Sequence, residues 1–174
     1  MILPGQSPAD LVLSPTGLRF QGRRYPCTIG RSGITRDKRE GDGATPAGLH
    51  RIMGALFRPD RLPRTAVPAW AQPILPGDLW SDDSRDTAYN QHVRAPYAFS
   101  HEALRRADPL YDLVLVTDWN WPEARPGKGS AIFLHTWRRR VAPTAGCIAF
   151  ARRDLLRIAR AIIPGQTRLI VPYF

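Results

Sequence analysis

Prolines and glycines end regular structure again and again in this chain: 17 prolines and 14 glycines are spread along its 174 residues. A proline fixes φ and removes a ladder donor, and a glycine loosens the backbone, so neither long helices nor long strands fit between them. What fits is a series of short strands joined by turns, a mostly β fold. The stretch "DLVLSPTGLRFQGRRYPCTIG" (10–30) has this form, with reversals predicted at Ser14-Pro15-Thr16-Gly17 and at Gln21-Gly22. Further strands are predicted around 49–53, in "YDLVLVTDW", in "SAIFLHTW", in "GCIAF" and in the closing "TRLIVPYF".

Helix is expected in one or two short pieces packed on this sheet. "ARRDLLRIARAII" places Leu155, Ile158, Ala159 and Ile162 on one stripe with arginines opposite, and Pro164-Gly165 ends it. "SHEALRRAD" reads as a second, brief helix with Ser100 as N-cap and Glu102 in the first turn. Prolines are too closely set between 57 and 100 for long elements, so that segment is expected to be a long irregular excursion over one face of the core. The length fits one domain over residues 1–174 with a core of its own.

Several function classes are excluded or left unsupported. No apolar run reaches the ~18 residues of a membrane span. The opening "MILPGQSPAD" has neither the basic nor the apolar region of a signal peptide. The net charge of +10 favours polyanionic partners, but arginines are scattered singly and in pairs, and no nucleic-acid motif accompanies them; specific nucleic-acid binding is not expected. The glycine-rich "GRSGITRDKREGDGATPAGLHRI" lacks the GxxxxGK[ST] phosphate loop. Cys27 and Cys147 are the only cysteines, with no His/Cys cluster at ligand spacing, so no metal site is expected.

The chemistry-bearing stretch is "AIFLHTWRRRVAPTAGCIAF" (131–150). Alternation on "SAIFLHTW" turns Ala131, Phe133 and His135 to one face and Ile132, Leu134 and Thr136 to the other. If "GCIAF" pairs with that strand through the loop 137–145, with the histidine one hairpin upstream, His135 and Cys147 sit side by side at one end of the sheet. A free thiol with a pKa near ~8.5 is mostly protonated at neutral pH, and a histidine in reach can take its proton and leave a nucleophilic thiolate. Gly146, lacking Cβ, lets a substrate carbonyl approach the amides of Gly146 and Cys147 as an oxyanion site. Residue types alone leave a second reading open: a small buried cysteine and a half-buried strand histidine with no catalytic role.

The same stretch resembles the signature of the YkuD family, the L,D-transpeptidases of bacterial peptidoglycan. In that family a strand histidine precedes an [S/T]-x-G-C segment and an apolar residue, which matches His135 and Thr144-Ala145-Gly146-Cys147-Ile148. Thr45-Pro46-Ala47-Gly48 resembles the family's early TP-x-G loop, and "GSAIFLH" the strand that carries its base. The resemblance runs from about 30 to 163. It implies a β-sandwich with Cys147 as nucleophile, His135 as its base, Thr136 orienting the imidazole through its carbonyl, and Gly146 at the oxyanion site. Thr144 and Ala145 would border the substrate. That substrate would be a peptidoglycan tetrapeptide stem, cleaved before its terminal D-alanine through a thioester that an amine acceptor resolves; no cofactor is implied. Carbapenem-type inhibitors are expected to acylate the thiol, and the cell envelope is the implied location, with the cytoplasm the alternative since no export signal is read in the opening. The chain departs from the family at Ala145, where histidine is common, and at Ala149 and Phe150, where arginine or asparagine is frequent.

Two alternatives accompany this expectation: hydrolysis of the same thioester, giving an L,D-carboxypeptidase or endopeptidase, and a non-catalytic basic module binding wall polymer or nucleic acid. Tyr89 and Asn90 are further substrate-binding candidates, as polar groups beside aromatics able to grip a stem's amides. Asp118-Trp119-Asn120 has the same character, though turn chemistry explains it equally. Arg138, Arg139 and Arg140 lie in the loop before the cysteine and offer pairing to a carboxylate. Cys27 is expected to be structural, and His50, His92 and His101 to be surface or packing residues.

Overall fold

The computed structural model describes residues 7–174; residues 1–6, part of the opening read above for an export signal, lie outside it. Among the described residues the main sheet has ten strands. Its order is Arg23–Tyr25, Gly17–Phe20, Leu11–Ser14, Arg168–Val171, Gly48–Phe57, Leu113–Thr117, Phe133–Thr136, Ile148–Phe150 and Cys27–Thr28, with Gln72–Pro73 added beside the long central strand. The two early reversals form where the sequence places them. Ser14 Oγ donates to the Gly17 carbonyl at 2.6 Å. Gln21 and Gly22 take φ of 48° and 71°, the left-handed pair that a two-residue hairpin turn needs.

The strand around 49–53 is longer than expected, because both of its halves find partners. Gly48–Phe57 pairs with Arg168–Val171 at its start and with Leu113–Thr117 at its end. Through it the N-terminal hairpins and the histidine strand belong to one continuous curved sheet.

Alternation sorts the central strands between two apolar layers. Leu113, Leu115, Leu134, Ile148 and Phe150 face the larger core, where Leu155, Ile158, Ala159 and Ile162 of the helix Arg152–Arg160 and the turn after it pack against them. Val114, Val116, Phe133 and Cys147 face the other layer with Trp80, Leu104 and Tyr111. That second face is covered by the excursion between 57 and 100 and the residues just after it. There Asp78–Ser81 is the centre of a three-stranded sheet flanked by His92–Arg94 and His101–Ala103. The arrangement is sandwich-like and mostly β, with one α-helix among the described residues.

Two local expectations are corrected. The predicted helix at Ser100 is instead the edge strand His101–Ala103, pairing antiparallel with Asp78–Ser81. Leu104 follows it fully buried and Glu102 turns inward, so long-range pairing overrides the local helix signal of Glu-Ala-Leu-Arg-Arg. The pairing of Phe133–Thr136 with Ile148–Phe150 is parallel, not a hairpin, with His135 opposite Ala149. The connection must therefore run back along the strand's length. It does so pinned to the glycine loop, where Thr144 N donates to Ile29 O and Arg31 N to Thr144 O, both at 2.9 Å.

Candidate active site

His135 and Cys147 lie on the second face of the sheet, and both line one cavity of about 390 Å³. Cys147 enters just before its strand. Its Sγ lies beside the start of the histidine strand, 3.4 Å from Phe133 N and 3.1 Å from Ala131 O. The thiol donates to that Ala131 carbonyl, and Phe133 N–H donates to the sulfur. His135 sits two residues further along the same face, its ring edge-on to Tyr111 at 5.4 Å between centroids.

The imidazole is oriented by its own strand. His135 Nδ1 is 2.8 Å from Thr136 O, and since a carbonyl only accepts, Nδ1 carries the proton in the neutral ring. Nε2 is left with the lone pair. Burial pushes the His135 pKa down to about 4, with the Thr136 carbonyl opposing and the Arg106 charge adding to the fall. Burial and the Glu102 carboxylate push the Cys147 thiol up to about 12. At rest, therefore, the imidazole and the thiol are both neutral. Removing two groups from water costs each its charge.

The loop before the cysteine is held by its own side chains. Thr144 Oγ1 donates to Cys147 O at 2.6 Å and accepts from Gly146 N at 3.1 Å. The Gly146 amide is thus committed within the turn. Gly146 has φ +144°, and a Cβ there would lie 2.8 Å from the Ala44 carbonyl, so the residue must be glycine for the approach of backbone rather than of substrate. Thr144 and Ala145 line the large cavity with His135 and Cys147; Thr136 and Gly146 do not line it.

Several lining residues escaped the sequence reading. Arg31 and Arg106 join Arg138, already a candidate, in bringing positive charge to the large cavity. Arg31, Glu102 and Ala145 line both it and a second cavity of about 80 Å³ that Cys147 also borders, where Glu40, Asp82 and Lys38 stand. Tyr111 OH hydrogen-bonds the Glu102 carboxylate, whose pKa burial raises. The one available signal for Arg31 was its place in the polar glycine loop; nothing local marks Glu102 or Tyr111.

The remaining candidates lie elsewhere. Tyr89 is buried, with its hydroxyl on Glu40, a wall residue of the small cavity. Asn90 is buried with φ 59°, and its amide is fully occupied. Oδ1 accepts from Trp80 Nε1 at 2.8 Å and Ala131 N at 3.0 Å, while Nδ2 donates to the carbonyls of Trp119 and Asn120 at 3.2 and 2.6 Å. Asp118 Oδ1 accepts from Arg51 N on the long central strand at 2.9 Å, and Asn120 Nδ2 donates to the carbonyls of Arg125 and Gly129 within its own loop at 3.0 and 3.1 Å. Of the three loop arginines only Arg138 reaches the cavity. Cys27 and Cys147 are both free thiols, and burial holds Cys27 up at about 11. His50 is buried against Trp119, and His92 and His101 are exposed. Among the described residues no cluster of His, Cys, Asp and Glu is placed to hold a metal ion, and no helix is long and apolar enough to cross a membrane.

A family model described as the L,D-transpeptidase catalytic domain, YkuD, matches residues 18–171. No curated protein matches the chain. Among solved structures, the chain is similar to Bd1075 of Bdellovibrio bacteriovorus at 17% identity and a TM-score of 0.46; the match covers 94% of this chain and 47% of the other, so the chain spans about half of that protein's length.

Proposed function

Because the chain belongs to the YkuD family of L,D-transpeptidase catalytic domains, we propose that it is a single catalytic domain that cleaves peptidoglycan tetrapeptide stems with Cys147 as nucleophile and His135 as base. The observation that carries the reading is the placement of the sulfur and an Nδ1-pinned imidazole on one wall of a cavity large enough for a peptide segment. Arg31, Arg106 and Arg138 supply charge for the carboxylates of a stem.

The chemistry follows from two neutral partners. Substrate entry displaces water, and Sγ attacks the carbonyl joining the diamino acid to the terminal D-alanine. The C–S bond forms as the thiol proton passes to His135 Nε2 and the carbonyl π pair moves to oxygen. Collapse of that tetrahedral species breaks the C–N bond, and His135 returns the proton to the departing D-alanine amine. The amine of a second stem then attacks the thioester carbonyl; the C–N bond forms as the C–S bond breaks, and His135 takes the amine proton and returns it to the departing sulfur. Proton loss and attack are coupled here, since a free thiolate is disfavoured until substrate is present.

A carbapenem tests the nucleophile. One equivalent is expected to add to Cys147 by intact-protein and peptide mass analysis, Cys147→Ala to abolish addition, and His135→Asn to slow it by about 100-fold or more. Addition at Cys27, or none in the wild-type protein, refutes the assignment. Incubation with purified muropeptides then separates outcomes: new cross-links between diamino acids are expected, whereas shortened stems alone mean that water resolves the thioester.

A further inference from the structure

We propose that Thr45 is a positioning residue: its side-chain hydroxyl sets the plane of the Gly146–Cys147 peptide so that the Cys147 N–H faces the oxyanion formed during acylation. The inference rests on the reading of Cys147 as the acyl-accepting nucleophile and concerns what holds the oxyanion donor in place.

Thr45 is almost fully buried, 1% exposed, in the short strand Thr45–Pro46. Its backbone is fixed twice over. Thr45 N donates to Gly33 O at 2.8 Å, and the following proline confines Thr45 to extended conformations. The hydroxyl has one proton and two neighbours. Gly30 N lies 2.9 Å from Oγ1 and can only donate, so the hydroxyl proton goes to Gly146 O, 2.8 Å away. A bond across 101 residues of sequence therefore ties the glycine loop to the carbonyl immediately before the nucleophile.

That carbonyl shares a rigid unit with the Cys147 amide. The peptide is trans, since among the described residues the cis bonds are at Pro96 and Pro122, and in a trans peptide C=O and N–H point in opposite directions. Holding Gly146 O toward Thr45 turns the Cys147 N–H away from it. The Ala44 carbonyl lies 2.8 Å from where a Gly146 Cβ would stand, so the residue just before Thr45 packs directly against Gly146. The neighbouring Gly146 N–H is already given to Thr144 Oγ1, so the oxyanion role falls to Cys147 N–H. Preorganised donors of this kind contribute about 100-fold or more to acyl transfer.

The test compares two reactions of one sulfur. Acylation by a carbapenem passes through an oxyanion, while alkylation by iodoacetamide does not. Thr45→Val keeps the shape and deletes the hydroxyl; it is expected to slow acylation about 30-fold or more while alkylation stays within about twofold, and Thr45→Ser is expected to restore acylation to within about threefold of wild type. Acylation at the wild-type rate in Thr45→Val, a parallel fall in alkylation, or no rescue by serine overturns the proposal. Wild-type protein supplies a reading that needs no variant. Hydrogen exchange at the Cys147 amide is expected to slow in the acylated protein relative to the alkylated one, and equal exchange also overturns it. Wild-type protein that resists acylation altogether points instead to failure of the nucleophile reading.

Discussion

At the scale of single residues, the sulfur of Cys147 is held as a thiol by two separable causes: removal from water, which is the larger, and the Glu102 carboxylate across the cavities. Glu102 is itself reluctant to ionise because it is buried, with the Tyr111 hydroxyl partly offsetting that. The charge that Glu102 carries once ionised opposes the thiolate. Glu102→Gln removes it while leaving an acceptor for Tyr111. We expect the thiol pKa to fall by about one unit, which raises the thiolate fraction about tenfold while its lower intrinsic nucleophilicity takes back about half of that on a logarithmic scale. The net result is an alkylation rate at pH 9 about threefold above wild type. An unchanged or slower rate, with Cys27 labelling measured separately, counts against a charge effect of Glu102 on the sulfur.

At the scale of elements, the three-stranded sheet is fastened over the site through the amide of Asn90, which joins Trp80 of that sheet to the Ala131 amide ahead of the histidine strand and to the turn at Trp119 and Asn120. Asn90→Ala strands the buried Trp80 and Ala131 donors and places alanine at φ 59°; a loss of about 3 kcal/mol in urea unfolding is expected. An effect on substrate KM with unaltered stability would instead restore Asn90 as a substrate contact. The way this element was misread shows what was legible in the chain. Leu113–Thr117 carries its burial in a continuous run of Leu and Val, and Arg152–Arg160 in a helical stripe, so local pattern was enough. His135, Cys147 and the Thr144–Gly146 turn stand in such segments, within one short stretch, and were readable for that reason. Glu102 joins the site only because Asp78–Ser81 recruits His101–Ala103 as a strand, and there it meets the Tyr111 hydroxyl. That pairing leaves no trace in "SHEALRRAD", whose local signals favour a helix. The parallel return to Ile148–Phe150 was hidden likewise, since it depends on Ile29 and Arg31 holding Thr144 more than 100 residues away.

At the scale of the whole molecule, the buried histidines make stability depend on pH in a window set apart from the carboxylates. His135 in the folded protein has a pKa of about 4, and burial also lowers that of His50. Unfolding returns both to the ordinary value near ~6.5. The unfolded chain therefore binds more protons than the folded one between these values, so the contribution is complete above about pH 6.5 and is lost as pH falls toward 4. Carboxylates held below their usual range, Asp60 by Arg58 and Asp83 by Arg85, lose their contributions only below that window. Glu102, raised by burial, has the opposite sign: protonating it favours the folded state as pH falls, and it offsets part of the loss. Subtraction isolates the His135 term, because His50 and Glu102 are common to the wild type and His135→Asn. Urea midpoints from pH 7 to 4 are expected to fall more steeply in the wild type, the gap between the two curves closing by about 3 kcal/mol at most across the window. Parallel curves mean that His135 titrates as an ordinary histidine in the folded protein, and then the neutral resting pair from which the coupled attack begins cannot be its state at mildly acid pH.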